Sequence, residues 1–157
     1  MLTILPFAII EKVNYIYQDS RLYKLSFLTN KNQLLGIHTT ENRANFVNKM
    51  DKEYNYLIKN NYAVFFYGNK SHLFNFLYPK YNLKIADFHQ TVDNDLYANK
   101  IIIETNKYKK NVAVFIVDHY PRTDGDDFDV SSSIVVNKLI KNNFTPIVKD
   151  DFVYYIK

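Results

Sequence analysis

Val64-Phe65-Phe66-Tyr67-Gly68-Asn69-Lys70-Ser71-His72-Leu73-Phe74-Asn75-Phe76-Leu77-Tyr78-Pro79-Lys80-Tyr81-Asn82-Leu83-Lys84-Ile85-Ala86-Asp87-Phe88-His89 is the stretch on which the reading of the fold turns. Tyr62 to Tyr67 is rich in aromatic and β-branched residues and predicts a strand. Gly68-Asn69-Lys70-Ser71 has turn chemistry, a short helix is expected over His72 to Leu77, and Pro79 stops it. Leu83 to His89 then reads as another strand, with Leu83 and Ile85 on one face and Lys84 and Ala86 on the other. The unit is strand, glycine turn, helix, strand.

Upstream, Phe7 to Tyr17, Leu22 to Leu28 and Leu34 to Ile37 are β-prone runs separated by polar turns, which predicts an antiparallel meander. Thr40 is placed to cap a helix running to about Asn60, because Phe46, Val47, Met50, Tyr54, Leu57 and Ile58 recur at helical spacing. Downstream, Asp93 to Asn99 suits a helical turn, Ile101 to Glu104 and Val112 to Asp118 read as strands, and the lysine-rich Asn106 to Asn111 joins them as a hairpin. A helix over Ser131 to Asn142 and a terminal hairpin of Phe144 to Val148 with Val153 to Ile156 complete the chain. The expected class is α+β, a single domain over residues 1–157 with a mixed or mostly antiparallel sheet and two or three main helices.

Composition narrows the function. With 157 residues, 47% hydrophobic and 17% aromatic, the chain can build a core and lies outside the disordered class. No run nears the roughly 20 apolar residues of a membrane span, and Met1 to Ile10 lacks the basic flank and cleavage site of a signal peptide, so an intracellular protein without membrane contact is expected. The absence of cysteine excludes disulfides, zinc-thiolate centres and thiol nucleophiles. A net charge of +4 suits a polyanionic partner but is modest for a nucleic-acid binder. The excess of Lys, Asn, Tyr and Ile suggests A+T-rich coding, as in a viral or other mobile genome.

The segment Val64 to His89 is similar to part of the nucleotidyltransferase fold, where a glycine-serine turn at a helix start holds phosphate and carboxylates on the next strand hold Mg²⁺. Here Asn69 and Lys70 intervene between Gly68 and Ser71, the acid-any-acid pair is missing, and an ordinary structural turn explains the same residues. Ala86 is the odd residue: a small apolar side chain on the polar face between Lys84 and the Asp87-Phe88-His89 cluster. Close packing against a helix explains it, and so does the truncation of a functional side chain.

The length, the Lys/Asn/Tyr/Ile bias, the lack of cysteine and the segment Lys84-Ile85-Ala86-Asp87-Phe88-His89 together resemble the double-stranded-DNA nucleases of lipothrixviruses, filamentous viruses of hot acidic springs. The resemblance implies an α+β fold remotely like nucleotidyltransferases, cleavage of linear duplex DNA inside the host cell, and an essential glutamate at the position of Ala86. A chain with Ala86 would then mark the active site without performing its chemistry. Around a carboxylate at 86, Lys84 would face the scissile phosphate, and Asp87 or His89 would complete a shell for a divalent cation such as Mg²⁺. A lone His89 is equally suited to packing or capping.

A second arrangement draws on the restriction-endonuclease-like pattern, with Asp87, Glu104 and Lys107 as its acids and lysine and Glu104 as a metal ligand. The spacing from Glu104 to Lys107 is one residue too long for a regular strand. Asp118-His119 is a further strand-end candidate, and Asp124 to Asp129 reads as an acidic loop favouring the following helix rather than a calcium site. For duplex DNA, Lys49, Lys52 and Lys59 lie on the polar side of the long helix with Asn45, Asn48 and Asn55, while Lys70 and the tip carrying Lys107, Lys109 and Lys110 offer further phosphate contacts. Each group also reads as an ordinary solvated surface. The leading expectation is a metal-dependent DNA nuclease. A non-catalytic viral module binding nucleic acid or protein is the rival, and a nucleotide-transferring enzyme a third class.

Overall fold

The computed structural model describes residues 27–28, 38–68, 71–81, 95–108, 111–118 and 133–157. These residues form an α+β structure in two compact units, one within Met1–Asp51 and one built from Lys52–Tyr120 and Asp127–Lys157. In the first, β1 (Phe27–Leu28) pairs antiparallel with β2 (His38–Thr39), the described part of the expected meander. The expected strands Phe7 to Tyr17 and Leu34 to Ile37 lie outside the described residues.

Helix α1 spans Glu41–Lys59, close to the expected range, because apolar residues recur on one stripe. Phe46, Val47, Met50 and Leu57 are buried and Tyr54 and Ile58 half-buried. Its start differs from expectation in one respect. The Thr40 carbonyl accepts the first helical bond, from Ala44 N at 2.9 Å, but the Thr40 hydroxyl is buried without a hydrogen-bond partner among the described residues. The helix therefore begins without a side-chain cap from Thr40, and Glu41 in the first turn supplies the favourable negative charge.

The second unit is organised by a four-stranded sheet of β3 (Ala63–Tyr67), β4 (Val112–Ile116), β5 (Thr145–Val148) and β6 (Val153–Ile156) in the order β3-β4-β6-β5. The β3/β4 pair is parallel, and β4/β6 and β5/β6 are antiparallel, so the sheet is mixed. Strands β3 and β4, the parallel pair, are buried at every position, because both faces of the sheet are covered, although β3 is the last described strand on its side. Strand β5 is largely exposed and ends the sheet. Lys149 N donates to Phe152 O at 2.9 Å, continuing the β5/β6 register. By the antiparallel alternation, Ile147 and Thr145 then bond toward β6 while Pro146 turns its nitrogen to the open edge. An edge without that N–H is a poor template for another strand.

Helix α2 (His72–Leu77) occupies the expected range after the glycine turn, α3 spans Asp95–Asn106, and α4 spans Ser133–Lys141. Helix α3 overturns two expectations: Ile101 to Glu104 is helical, not a strand, and the segment before β4 is therefore no hairpin. Ile101-Ile102-Ile103 has the β-branched composition of a strand, yet Ala98, Ile101, Ile102 and Thr105 are the buried positions, at helical spacing. Thr105 satisfies its buried hydroxyl by donating to Ile102 O at 3.0 Å. Burial on one helical stripe outweighs β propensity here.

Alternation divides the core by sheet face. On one side Phe65, Tyr67, Val114, Ile116 and Tyr155 meet Ala98, Ile101 and Ile102 of α3 and Val135 and Leu139 of α4. On the other, Phe66 stacks on Phe74 of α2 at 5.3 Å and on Phe115 at 5.1 Å, and Phe115 stacks on Tyr154 at 4.8 Å. Tyr54 of α1 closes this side against Tyr78, with ring centroids 3.9 Å apart.

Candidate functional site

At the carboxyl ends of the parallel pair, Gly68 follows β3 and Asp118 follows β4. The strands stay joined to their ends, with Val117 N donating to Tyr67 O at 2.7 Å. Gly68 has φ +121°, and a Cβ there would lie 2.6 Å from Val117 O and 2.7 Å from Asp118 Oδ1. Only glycine fits both the backbone conformation and the close approach of the neighbouring strand. Asp118 is half-buried in this corner.

Hydrogen bonds link the described ends of the turn to each other and to α2. Ser71 N donates to Gly68 O at 3.1 Å, and the buried Ser71 hydroxyl accepts from Asn75 Nδ2 at 3.4 Å instead of capping α2. Asn75 Oδ1 is buried with no hydrogen-bond partner among the described residues. The described ends of the Gly68 to Ser71 turn thus hold β3 to α2.

The lysines expected to meet DNA separate into groups. Lys49, Lys52 and Lys59 are all exposed on α1. With Asn45, Asn55 and Tyr56, also exposed, they recur at the three- and four-residue intervals of one helical face. Lys49 and Lys59 are separated by about 15 Å along the axis, at roughly 1.5 Å per residue. This face is positive and rich in hydrogen-bond donors. Lys107 lies one residue beyond α3 and pairs with Glu104.

That pairing corrects the restriction-endonuclease-like expectation. With Glu104 on a helix, the pair are neighbours at i and i+3 across its last turn, not an acid and a lysine projecting from one strand. Lys107 engages one carboxylate oxygen of Glu104, the residue also expected as a metal ligand. No group of three His, Asp or Glu side chains placed to hold a metal ion occurs among the described residues. Lys84, Ala86, Asp87, His89, Lys70, Lys109 and Lys110 lie outside the described residues, as do His119 and the Asp124 to Asp129 loop.

One polar cluster escaped sequence reasoning. Tyr154 on β6 donates its hydroxyl to Glu53 Oε1 at 2.7 Å, and Lys149 Nζ lies 3.8 Å from Glu53 Oε2. Burial raises the Tyr154 pKa above the ordinary tyrosine value, and its hydrogen bond to the Glu53 carboxylate and that group's charge raise it further. Glu53 and Tyr154 are 101 residues apart, so no local pattern announces the pair. It joins α1 to the β5/β6 hairpin.

The fold and these surfaces define an α+β protein with a lysine-lined helix and a closed glycine corner. Compared with known proteins, the chain matches no family model, no curated protein and no solved structure.

Proposed function

We propose that this protein binds duplex DNA through the lysine face of α1 and belongs functionally with nucleases that hydrolyse its phosphodiester bonds. The observation that carries the reading is the one-sided exposure of Lys49, Lys52 and Lys59 among asparagines on a 19-residue helix. Such a face meets phosphates without reading bases. The cleavage half of the reading is supported by the resemblance carried by Lys84-Ile85-Ala86-Asp87-Phe88-His89 to lipothrixvirus nucleases. Mg²⁺ enters it as a component of the assay.

The test separates the halves. Ala86→Glu and the unaltered chain are each incubated with linear duplex DNA and Mg²⁺, and binding is measured in parallel by fluorescence anisotropy. Cleavage by Ala86→Glu alone supports the nuclease. Binding by both forms with cleavage by neither replaces it with the rival non-catalytic module. In the binding assay, Lys49→Gln with Lys52→Gln is expected to lower the slope of log affinity against log salt by roughly 1.8, at about 0.9 per lost phosphate contact. An unchanged slope removes α1 from the interface.

A further inference from the structure

Lys59, Lys107, Lys141 and Lys157 are distant in sequence, yet the topology brings them to one end of the four-stranded sheet. Helices α1, α3 and α4 all terminate there, at Lys59, Asn106 and Lys141. Strands β3, β4 and β5 begin there, and β6 ends there. Hydrogen bonds fix the convergence: Ala63 N donates to Asn111 O at 2.8 Å, and Val112 and Lys157 exchange backbone bonds of 2.8 and 3.0 Å. Lys157 Nζ lies 3.4 Å from Asn106 Oδ1 and 5.6 Å from the centre of the Phe144 ring, which follows α4. The ends of α3, α4 and β6 are thereby tied together.

All four lysines are exposed. Among the described side chains of this end, Glu104 is the one acid, and it is engaged by Lys107. The opposite end of the strands carries Asp118 after β4 and Asp150 and Asp151 in the β5/β6 turn. Lys149 stands beside that turn and pairs with Glu53, so among the described residues acids prevail at this end and lysines at the other. Lysines at helix C-termini offset the partial negative charge there, about half a unit for each helix. Three such ends and Glu104 fall short of four ammonium groups, so a positive surplus faces solvent. Asn61 and Asn143, exposed and left-handed with φ 64° and 65°, add neutral donors beside it.

We propose that this end of the sheet is a second phosphate-binding surface, taking the backbone of duplex DNA through Lys59, Lys107, Lys141 and Lys157. The inference rests on the DNA-binding reading above and extends it: Lys59 belongs to both the α1 face and the sheet end, so one duplex can pass from the first to the second. Lysine ammonium groups act here as point charges on phosphate oxygens, giving affinity without sequence preference.

The experiment is a salt titration of duplex binding by anisotropy, from about 50 to about 200 mM salt, where counterion release dominates. Replacing Lys107, Lys141 and Lys157 together with Gln is expected to weaken binding and lower the slope by roughly 2.7, at about 0.9 per contact. Lys107 and Lys157 also make contacts within the fold, so Lys141→Gln is measured alone and is expected to lower the slope by about 0.9. Urea midpoints identify any variant whose fold is impaired, and for such a variant the Lys141→Gln result decides. If Lys141→Gln and the folded triple variant keep the parent slope while the Lys49→Gln, Lys52→Gln variant loses it, the second surface is disproved and the DNA-binding reading stands. If the unaltered chain binds no duplex DNA, the reading and this extension both fall.

Discussion

The two faces of the four-stranded sheet are built from alternate residues of the same strands, yet they are held by different means. Toward α3 and α4, the helices supply aliphatic Ala98, Ile101, Ile102, Val135 and Leu139. Toward α1 and α2, the contact is ring on ring: Phe74, Phe66, Phe115 and Tyr154 form a near-parallel series with successive interplanar angles of 20°, 25° and 24°. Aliphatic packing is non-directional and adjusts to shape, whereas aromatic pairs add roughly 0.5–1.5 kcal/mol that depends on ring placement. The aromatic face also ends in a polar handle, the Tyr154 hydroxyl on Glu53. The α3 and α4 side carries rings as well, with Tyr108 edge-on to Phe65 at 5.2 Å and to Tyr81 at 5.5 Å, so the faces differ in degree: mainly aliphatic helix side chains on one, a stacked ring series on the other.

Phe115→Ala attacks that contrast most directly. Phe115 is fully buried and touches Phe66, Phe152 and Tyr154, so its loss is expected to cost about 3–5 kcal/mol in urea unfolding. A loss below the range would mean that the ring series collapses readily around a void, as an adaptable aliphatic core would.

Tyr154→Phe keeps the ring and removes the handle, with an expected loss of about 1.5 kcal/mol for a hydrogen bond to a carboxylate. It also changes the alkaline limb of stability. The Tyr154 pKa is raised in the fold, so the folded state holds this proton more tightly than the unfolded chain. That contribution is fully present below the unfolded value near 10 and is lost as pH rises above it. Tyr155 is raised by burial in the same sense. Stability is therefore expected to fall above about pH 10, and less steeply in Tyr154→Phe. Equal alkaline slopes in parent and variant would remove Tyr154 from the account.

The smallest effect belongs to the aliphatic face. Ile101→Val, at a fully buried position of α3, is expected to cost about 0.5–1.5 kcal/mol by the same unfolding measurement. A cost matching that of Phe115→Ala would erase the distinction between the faces.

Most elements were legible because their signals are local. The stripe of Phe46, Val47, Met50 and Leu57 announced α1, the Gly68 and Pro79 punctuation bounded α2, and the β-branched and aromatic runs announced β3, β4, β5 and β6. Helix α3 was misread because Ile101-Ile102-Ile103 has strand composition, and only the buried positions around it reveal the helical period. The α1 lysine face followed from the same periodicity that gave the helix. Glu104 and Lys107 could not be placed before the state of their segment was known, and Glu53 with Tyr154 had no local signature at all.

The amino-acid sequence alone determined where most strands and helices lie and which face of α1 carries charge, because periodicity, propensity and turn chemistry act over a few residues. Tertiary structure decided that β3 and β4 run parallel, that the Ile101 segment coils into a helix, and that Lys59, Lys107, Lys141 and Lys157 share one end of the sheet. Those outcomes depend on which surfaces are buried together, and the partners in that burial lie tens of residues apart along the chain.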